Sequence, residues 1–373
     1  MKRVAIFGGT FNPVHIEHIS LCKSAITELN LDKLIVMPTF ISPHKESATC
    51  LSALDRLNML KLAFEGIKKV EVSDFEILKQ GKSYTYQTIE HFYSQETKLF
   101  FIVGGDMLND FKTWKFPERI LDKATLAVFE RQSIFTDFVK EQEYFRQNFK
   151  SEFVKLSYVG KDFSSTKIRT YAKLSLSLEG LMPQKVEEYI KEKQLYKPDK
   201  YEQFIVCNLP QKRLIHTANV VVCALKRARE LGLNEEKVRI SATLHDCAKY
   251  IDYTTEKEFV LPEKVPQPVI HAYLGAFIAQ KYLGITDNEI LSAIRYHTSG
   301  RENMSLLEKL IFVADMVEEG RSYDGVETLR NLYENGDFET CFIECLKEEF
   351  VHLINKKQYI YVKTIEAFNY YVK

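Results

Sequence analysis

The sequence predicts an α/β domain built on a parallel sheet, followed by an all-α domain. Three observations lead there. The 373 residues exceed the size of one ordinary domain, so two domains of roughly 150–200 residues are expected, each able to bury its own core. Up to about residue 190, short apolar or β-branched runs alternate with helical patterns. Beyond residue 200 the strand signals vanish, and long helical periodicities such as "HTANVVVCALKRARELG" and "SLLEKLIFVADMVEEG" take over.

Taken in order, the strands of the first half are "RVAIF", "KLIVMP", "KVEVSDF", "KLFFIVG", "ATLAVFE" and "EFVKLS". Right-handed crossovers between parallel strands place functional loops at the carboxyl ends of the strands, beside the point where strand order reverses. The loop "GGTFNPVH" follows the first strand at such an end. The stretch "KEKQLYKPDKYEQ" is polar and carries Pro198, so the linker is expected at 193–203, between domains 1–192 and 204–373. The chain shows no internal repeat and no low-complexity tract.

Acidic and basic residues balance at 51 each, so no global field points to nucleic acid or to an anionic membrane. Seven cysteines, scattered and without a CxxC pair, fit reduced thiols rather than a disulfide framework. The beginning, "MKRVAIFGG", has an apolar run that stops after four residues, too short for a signal-peptide core. No run approaches the ~20 apolar residues of a membrane span. A cytoplasmic protein is expected, and a homo-oligomer is left open.

The nine histidines divide between the halves. His15, His18 and His44 lie in the first, beside turn residues; His216, His245, His271 and His297 lie in the second; His91 and His352 have no such context. His15 and His18 are three apart at the start of a helix, so both rings face the same way, beside N-terminal N–H groups that attract anions. A zinc pair is the alternative. Zinc would need a third ligand, and the preceding Gly-Gly-Thr loop argues that the object held is phosphate. The loop lacks both the Gly-Lys-Ser/Thr ending of a P-loop and a GxGxxG. Histidine donors suit attack at an α-phosphorus, where charge grows on non-bridging oxygens and on departing pyrophosphate.

In the second half, His245 and Asp246 are adjacent in "LHDCAK". His216 lies upstream in "RLIHT", and His271 in "IHAYLGA", His297 in "YHTSG" and Asp315 in "FVADMVE" lie downstream. Each sits on or beside an apolar helix, where an unpaired polar group is costly. Four histidines and two aspartates form a mixed N/O set for one or two divalent metals, and the absence of thiolates disfavours structural zinc. Ligand chemistry alone leaves iron and manganese both open.

Six motifs of the first half carry a resemblance: "GGTFNPVHIEH", "SPHKE" at 42–46, "SYT" at 83–85, "GGDML" at 104–108, "TWK" at 113–115 and "SSTKIR" at 164–169. In this order they resemble a bacterial nicotinate mononucleotide adenylyltransferase over about residues 1–192. The resemblance implies a Rossmann-like nucleotidyltransferase domain that joins nicotinate mononucleotide to ATP with Mg²⁺. It implies that Gly8, Gly9, Thr10, Phe11, His15, His18, Gly104, Asp106, Ser165, Thr166 and Arg169 bind ATP, and that Lys45, Tyr84, Thr85 and Trp114 receive the mononucleotide. His15, His18, Lys45 and Arg169 would be catalytic. Two departures stand out: Asn12 where many relatives have Asp, and Glu17 where many have a small residue. Asn12 keeps a turn-forming acceptor. Glu17 either points to solvent or crowds the adenine pocket.

The second half, about residues 200–373, resembles an HD-domain phosphohydrolase of the YqeK type. This implies symmetrical hydrolysis of diadenosine tetraphosphate to two ADP by a di-iron centre. His216, His245, Asp246, His271, His297 and Asp315 would be the ligands, with Asp246 and Lys249 catalytic. A helical half that senses nucleotides without catalysis is the alternative, and adenylyl transfer to nicotinamide mononucleotide is the alternative for the first half.

Overall fold

The computed structural model describes residues 1–41, 51–132, 136–161, 163–262 and 264–372. The six expected strands all form: β1 Lys2–Gly9, β2 Lys33–Pro38, β3 Val70–Val72, β4 Thr97–Gly104, β5 Ala124–Arg131 and β6 Val154–Gly160. They make one sheet of order β3-β2-β1-β4-β5-β6, parallel throughout. The order reverses between β1 and β4, which opens the crevice where such sheets hold ligands. Val4, Ile6, Ile35, Met37, Leu99, Phe101, Val103, Leu126 and Val128 alternate along four strands and share one core. The residues between them, Ala5, Leu34, Val36, Phe100, Ile102 and Ala127, are buried as well. Both faces are therefore covered, which is why these strands read as continuous apolar runs.

Among the helices of this half are α1 Ile16–Glu28, α2 Ala53–Phe64, α3 Phe75–Lys79, α4 Thr85–Phe92, α5 Asp106–Phe111, α6 Pro117–Leu121, α7 Phe138–Phe149, α8 Ser165–Lys173 and α9 Gln184–Glu192. The helical half runs α10 Lys200–Asn208, α11 Gln211–Ala228, α12 Glu235–Leu244, α13 Gln267–Lys281, α14 Asn288–Tyr296, α15 Leu306–Val317, α16 Val326–Asn335, α17 Phe338–Asn355 and α18 Val362–Tyr371. Its starts are chemically marked. Ser305 and Glu308 form a reciprocal cap on α15, and Asp199 with Glu202 does the same on α10. Leu307, Leu310, Ile311 and Ala314 then follow at helical spacing and are buried.

Two compact units result: Met1–Ile168 with Leu178–Leu195, and Arg169–Ser177 with Tyr196–Lys373. The last passage between them lies inside the stretch 193–203. The passages after Ile168 and after Ser177 have no counterpart in the sequence. Leu174 and Leu176 belong to the core of the helical unit. Among the described residues, no helix is long and apolar enough to cross a membrane.

Candidate functional site

In the α/β unit, β1 ends at Gly9 and the chain turns through Phe11, whose φ of 48° is left-handed, into α1. His15 caps that helix. Its backbone N–H donates to His18 Nδ1 at 3.2 Å, which ties the second imidazole to the helix end. The two rings stack with centroids 3.6 Å apart, Phe11 stands edge-on to His18 at 4.9 Å, and Phe163 lies 5.4 Å from His15. His15 is only 5% exposed. Burial, and after it the charge of Arg131, pushes its pKa from the ordinary 6.5 to about 3, so it is a neutral N–H donor at neutral pH.

The Ser165 hydroxyl, at the first residue of α8, donates to the Pro13 carbonyl at 2.9 Å. This holds the start of α8, with Thr166 beside it, against the loop that leads into α1. Two helix N-termini thus meet at the carboxyl end of the sheet, the arrangement that attracts phosphate. Arg169 follows one turn along α8. Gly104 ends β4, and a Cβ there would collide with Asp106 Oδ1. Arg131, at the end of β5, stands 3.6 Å from Asp106 Oδ2. Thr85 opens α4, and Lys115 places its ammonium 4.6 Å over the Tyr84 ring. Trp114 packs 5.2 Å from Phe111 and 6.2 Å from Phe101. Tyr84 and Trp114 rest on the same core, so the segments "SYT" and "TWK" share one face of the sheet. His44 and Lys45 lie outside the described residues.

Glu17 has partners that its sequence position did not suggest. Its Oε2 accepts from the Tyr158 hydroxyl at 2.6 Å and from the Lys161 N–H at 3.1 Å, so it ties α1 to the end of β6. Asn12 is buried in the loop.

In the helical unit, the six expected ligands come from α11, the end of α12, α13, the end of α14 and α15, and converge. His245 Nδ1 faces the Ala242 carbonyl at 2.7 Å and His297 Nδ1 faces the Ile294 carbonyl at 2.8 Å. A carbonyl only accepts, so both rings carry the proton on Nδ1 and turn the Nε2 lone pair inward. His245 Nε2 is 3.3 Å from His216 Nε2, and His297 Nε2 is 3.3 Å from His271 Nε2. Asp246 stands between the pairs. Its Oδ1 is 2.9 Å from His271 Nε2 and 3.5 Å from His297 Nε2; its Oδ2 is 3.6 Å from His245 Nε2 and 4.0 Å from His216 Nε2. Asp315 Oδ1 lies 3.0 Å from His216 Nε2.

Among the described residues, three overlapping groups are placed close enough to hold a cation: His216, His245 and Asp246; His245, His297 and Asp315; Asp246, His271 and His297. The fit is chemical as well as geometric. Asp246 Oδ1 is buried, and none of its close neighbours gives it a hydrogen bond of good geometry. Imidazole lone pairs aimed at one another and an orphaned carboxylate oxygen are what a divalent ion would satisfy. Burial pushes Asp246 upward, but the imidazoles packed around it and the Lys249 ammonium hold it well below the usual carboxylate range. Burial likewise lowers His245 to about 3 and His271 to about 4, so both are neutral as ligation requires. Lys249 Nζ is 3.0 Å from His271 Nε2.

Residues 6–171 match the cytidylyltransferase-like family and residues 213–320 the HD domain. The chain is 40% identical over 200 residues to a probable nicotinate-nucleotide adenylyltransferase of Clostridium tetani, across 53% of this chain and 100% of that one. It is 36% identical over 181 residues to a symmetrical bis(5'-nucleosyl)-tetraphosphatase of Bacillus subtilis, across 46% of this chain and 97% of that one. The chain belongs to both of these families. A probable nicotinate-nucleotide adenylyltransferase/Ap4A hydrolase of Mycoplasma genitalium is similar along most of the length, at 26% identity over 333 residues, 87% of this chain and 89% of that one.

Several residues that shape the two sites do not show in the sequence. Arg56, 2% exposed, donates to the carbonyls of Thr10 at 2.8 Å, Phe40 at 3.1 Å and Leu51 at 3.3 Å. Glu318 accepts from His216 Nδ1 at 3.0 Å and from Asn219 at 2.9 Å, the kind of outer support that orients an imidazole for ligation. Glu318 follows Asp315 by three on the same helical face, which was the one available signal.

Proposed function

We propose that the first half joins nicotinate mononucleotide to ATP, giving nicotinate adenine dinucleotide and pyrophosphate, and that the second hydrolyses diadenosine tetraphosphate symmetrically to two ADP. In the first reaction a phosphate oxygen of the mononucleotide attacks the α-phosphorus, and the bond to the bridging oxygen of pyrophosphate breaks. Mg²⁺ arrives with ATP. His15 and His18 donate to the phosphates at the head of α1, with the N–H groups of Gly8, Gly9, Thr10 and Phe11 around them. Ser165 and Thr166 receive the triphosphate at the head of α8, Arg169 adds charge one turn on, and Lys45 adds further charge. Gly104 and Asp106 meet the adenosine side. Tyr84, Thr85 and Trp114 take the nicotinate ring and its carboxylate. Preorganised donors of this kind carry most of the catalysis, because the reaction needs no covalent nucleophile.

In the second half, His216, His245, Asp246, His271, His297 and Asp315 hold two divalent ions, iron first and manganese as the alternative. Bound there, they would activate water and offset charge on the phosphoryl group. Lys249 holds its ammonium beside His271 and the reacting phosphate. One observation supports this reading above others: the two oxygens of Asp246 face different histidine pairs, as a bridging carboxylate does. The test is metal analysis of the intact protein with identification of its products. ADP alone from diadenosine tetraphosphate, with iron or manganese bound, supports the hydrolase. Faster turnover of nicotinamide mononucleotide than of the nicotinate form would overturn the first assignment.

A further inference from the structure

Arg213 has no part in the ligand set, yet it lies against it. It sits in the first turn of α11, three residues before His216, and its side chain is 24% exposed. Its Nη1 donates to Asp246 Oδ2 at 2.7 Å. That oxygen is the one turned toward His245 and His216, so the guanidinium and an ion held by those histidines would share it. The other oxygen has a similar neighbour: Lys249 Nζ, 33% exposed, is 3.5 Å from Asp246 Oδ1. Each oxygen of the shared carboxylate therefore faces one long, partly exposed cation.

A divalent ion on Oδ2 would repel a guanidinium at that distance. The Arg213 stem is flexible and its head already reaches solvent, so the charge can turn outward without leaving a buried ion behind. Outward is where a phosphorylated substrate must arrive, and a planar fork of N–H groups matches two non-bridging phosphate oxygens. We propose that Arg213 grips the phosphates of the hydrolase substrate, and that it is released for this task when a metal ion takes Asp246 Oδ2. The ligand class is a phosphoanhydride or its phosphate product. The inference rests on the hydrolase reading above. A merely structural Arg213 would instead neutralise Asp246, and its loss would weaken metal binding.

The intact protein, wild type, Arg213→Met and Arg213→Lys, is titrated first with Mn²⁺. Inorganic phosphate is then added to the loaded protein and its binding is read from the relaxation of the ³¹P signal by bound Mn²⁺. Arg213→Met should bind Mn²⁺ about tenfold more tightly and phosphate about ten- to a hundredfold more weakly, the worth of a charge-assisted hydrogen bond. Arg213→Lys should recover part of the phosphate binding. Weaker or unchanged Mn²⁺ affinity in Arg213→Met, or unchanged phosphate binding, overturns the proposal while leaving the hydrolase reading intact. A protein that takes up Fe²⁺ but not Mn²⁺ is put through the same titrations with Fe²⁺, and a wild-type protein that takes up neither ion sinks both.

Discussion

At the head of α1, two histidines of the same motif are asked for different things. His18 is tied to the His15 backbone and keeps its ring at the helix end, so His18→Ala removes the proposed phosphate donor with little core volume. Its kcat for adenylyl transfer should fall by ~10²–10³, as for loss of one preorganised donor. Steady-state rates on both substrates check this, and hydrolysis of diadenosine tetraphosphate should stay at the wild-type rate. His15 is buried and neutral, with a pKa near 3 against 6.5 when exposed. Between those values the unfolded chain binds a proton that the folded one does not, so stability falls as pH drops from 6.5 toward 3. At pH 5 the loss from this one group is about 2 kcal/mol. His15→Gln should therefore show a shallower decline of the α/β unit's denaturation midpoint between pH 6.5 and 4.5. An identical slope in the variant would contradict the buried, neutral imidazole.

Among the elements, the strands were legible because both faces of the sheet are covered and each strand is an apolar run. The six histidine and aspartate residues that converge in the helical unit stood out because such side chains on apolar helices are costly to bury unless an ion or a polar partner satisfies them. Arg56 shows where that legibility stops. In "ALDRLNMLKLAF" an arginine reads as the solvent face of an amphipathic helix, yet it is among the largest fully buried side chains and joins the glycine loop to Phe40 and Leu51. Its burial depends on where three distant segments meet, which no local pattern encodes. Glu17 is similar. Its partners, Tyr158 and Lys161, are 141 and 144 residues away, so only the fold shows where its carboxylate is anchored. Arg56→Met should destabilise the α/β unit by about 3 kcal/mol, because buried carbonyls lose their donors. Chemical denaturation measures this, and a change under about 0.5 kcal/mol, the ordinary range of surface substitutions, would show the contacts to be dispensable.

At the scale of the whole molecule, two chemistries share one chain, each with its motifs complete. On the proposed reading, adenylyl transfer uses the two helix N-termini at the carboxyl edge of the sheet, and hydrolysis uses the histidine and aspartate cluster of α11 to α15. Composition gave the separation of the halves a first outline, since strand patterns end before residue 200. The assignment of Arg169–Ser177 to the helical unit has no sequence signal, because a helix that begins in one core and ends in another keeps the same periodicity throughout. The most direct test gives the intact chain ATP, nicotinate mononucleotide and diadenosine tetraphosphate together, with Mg²⁺ and Mn²⁺, and separates the products chromatographically for wild type, His18→Ala and Asp246→Ala. Wild type should form nicotinate adenine dinucleotide and ADP, His18→Ala should lose most of the first product alone, and Asp246→Ala should lose the second alone together with its bound metal. ADP still formed from diadenosine tetraphosphate by Asp246→Ala, or both products lost together in either variant that remains folded, would contradict the division of labour between the two halves.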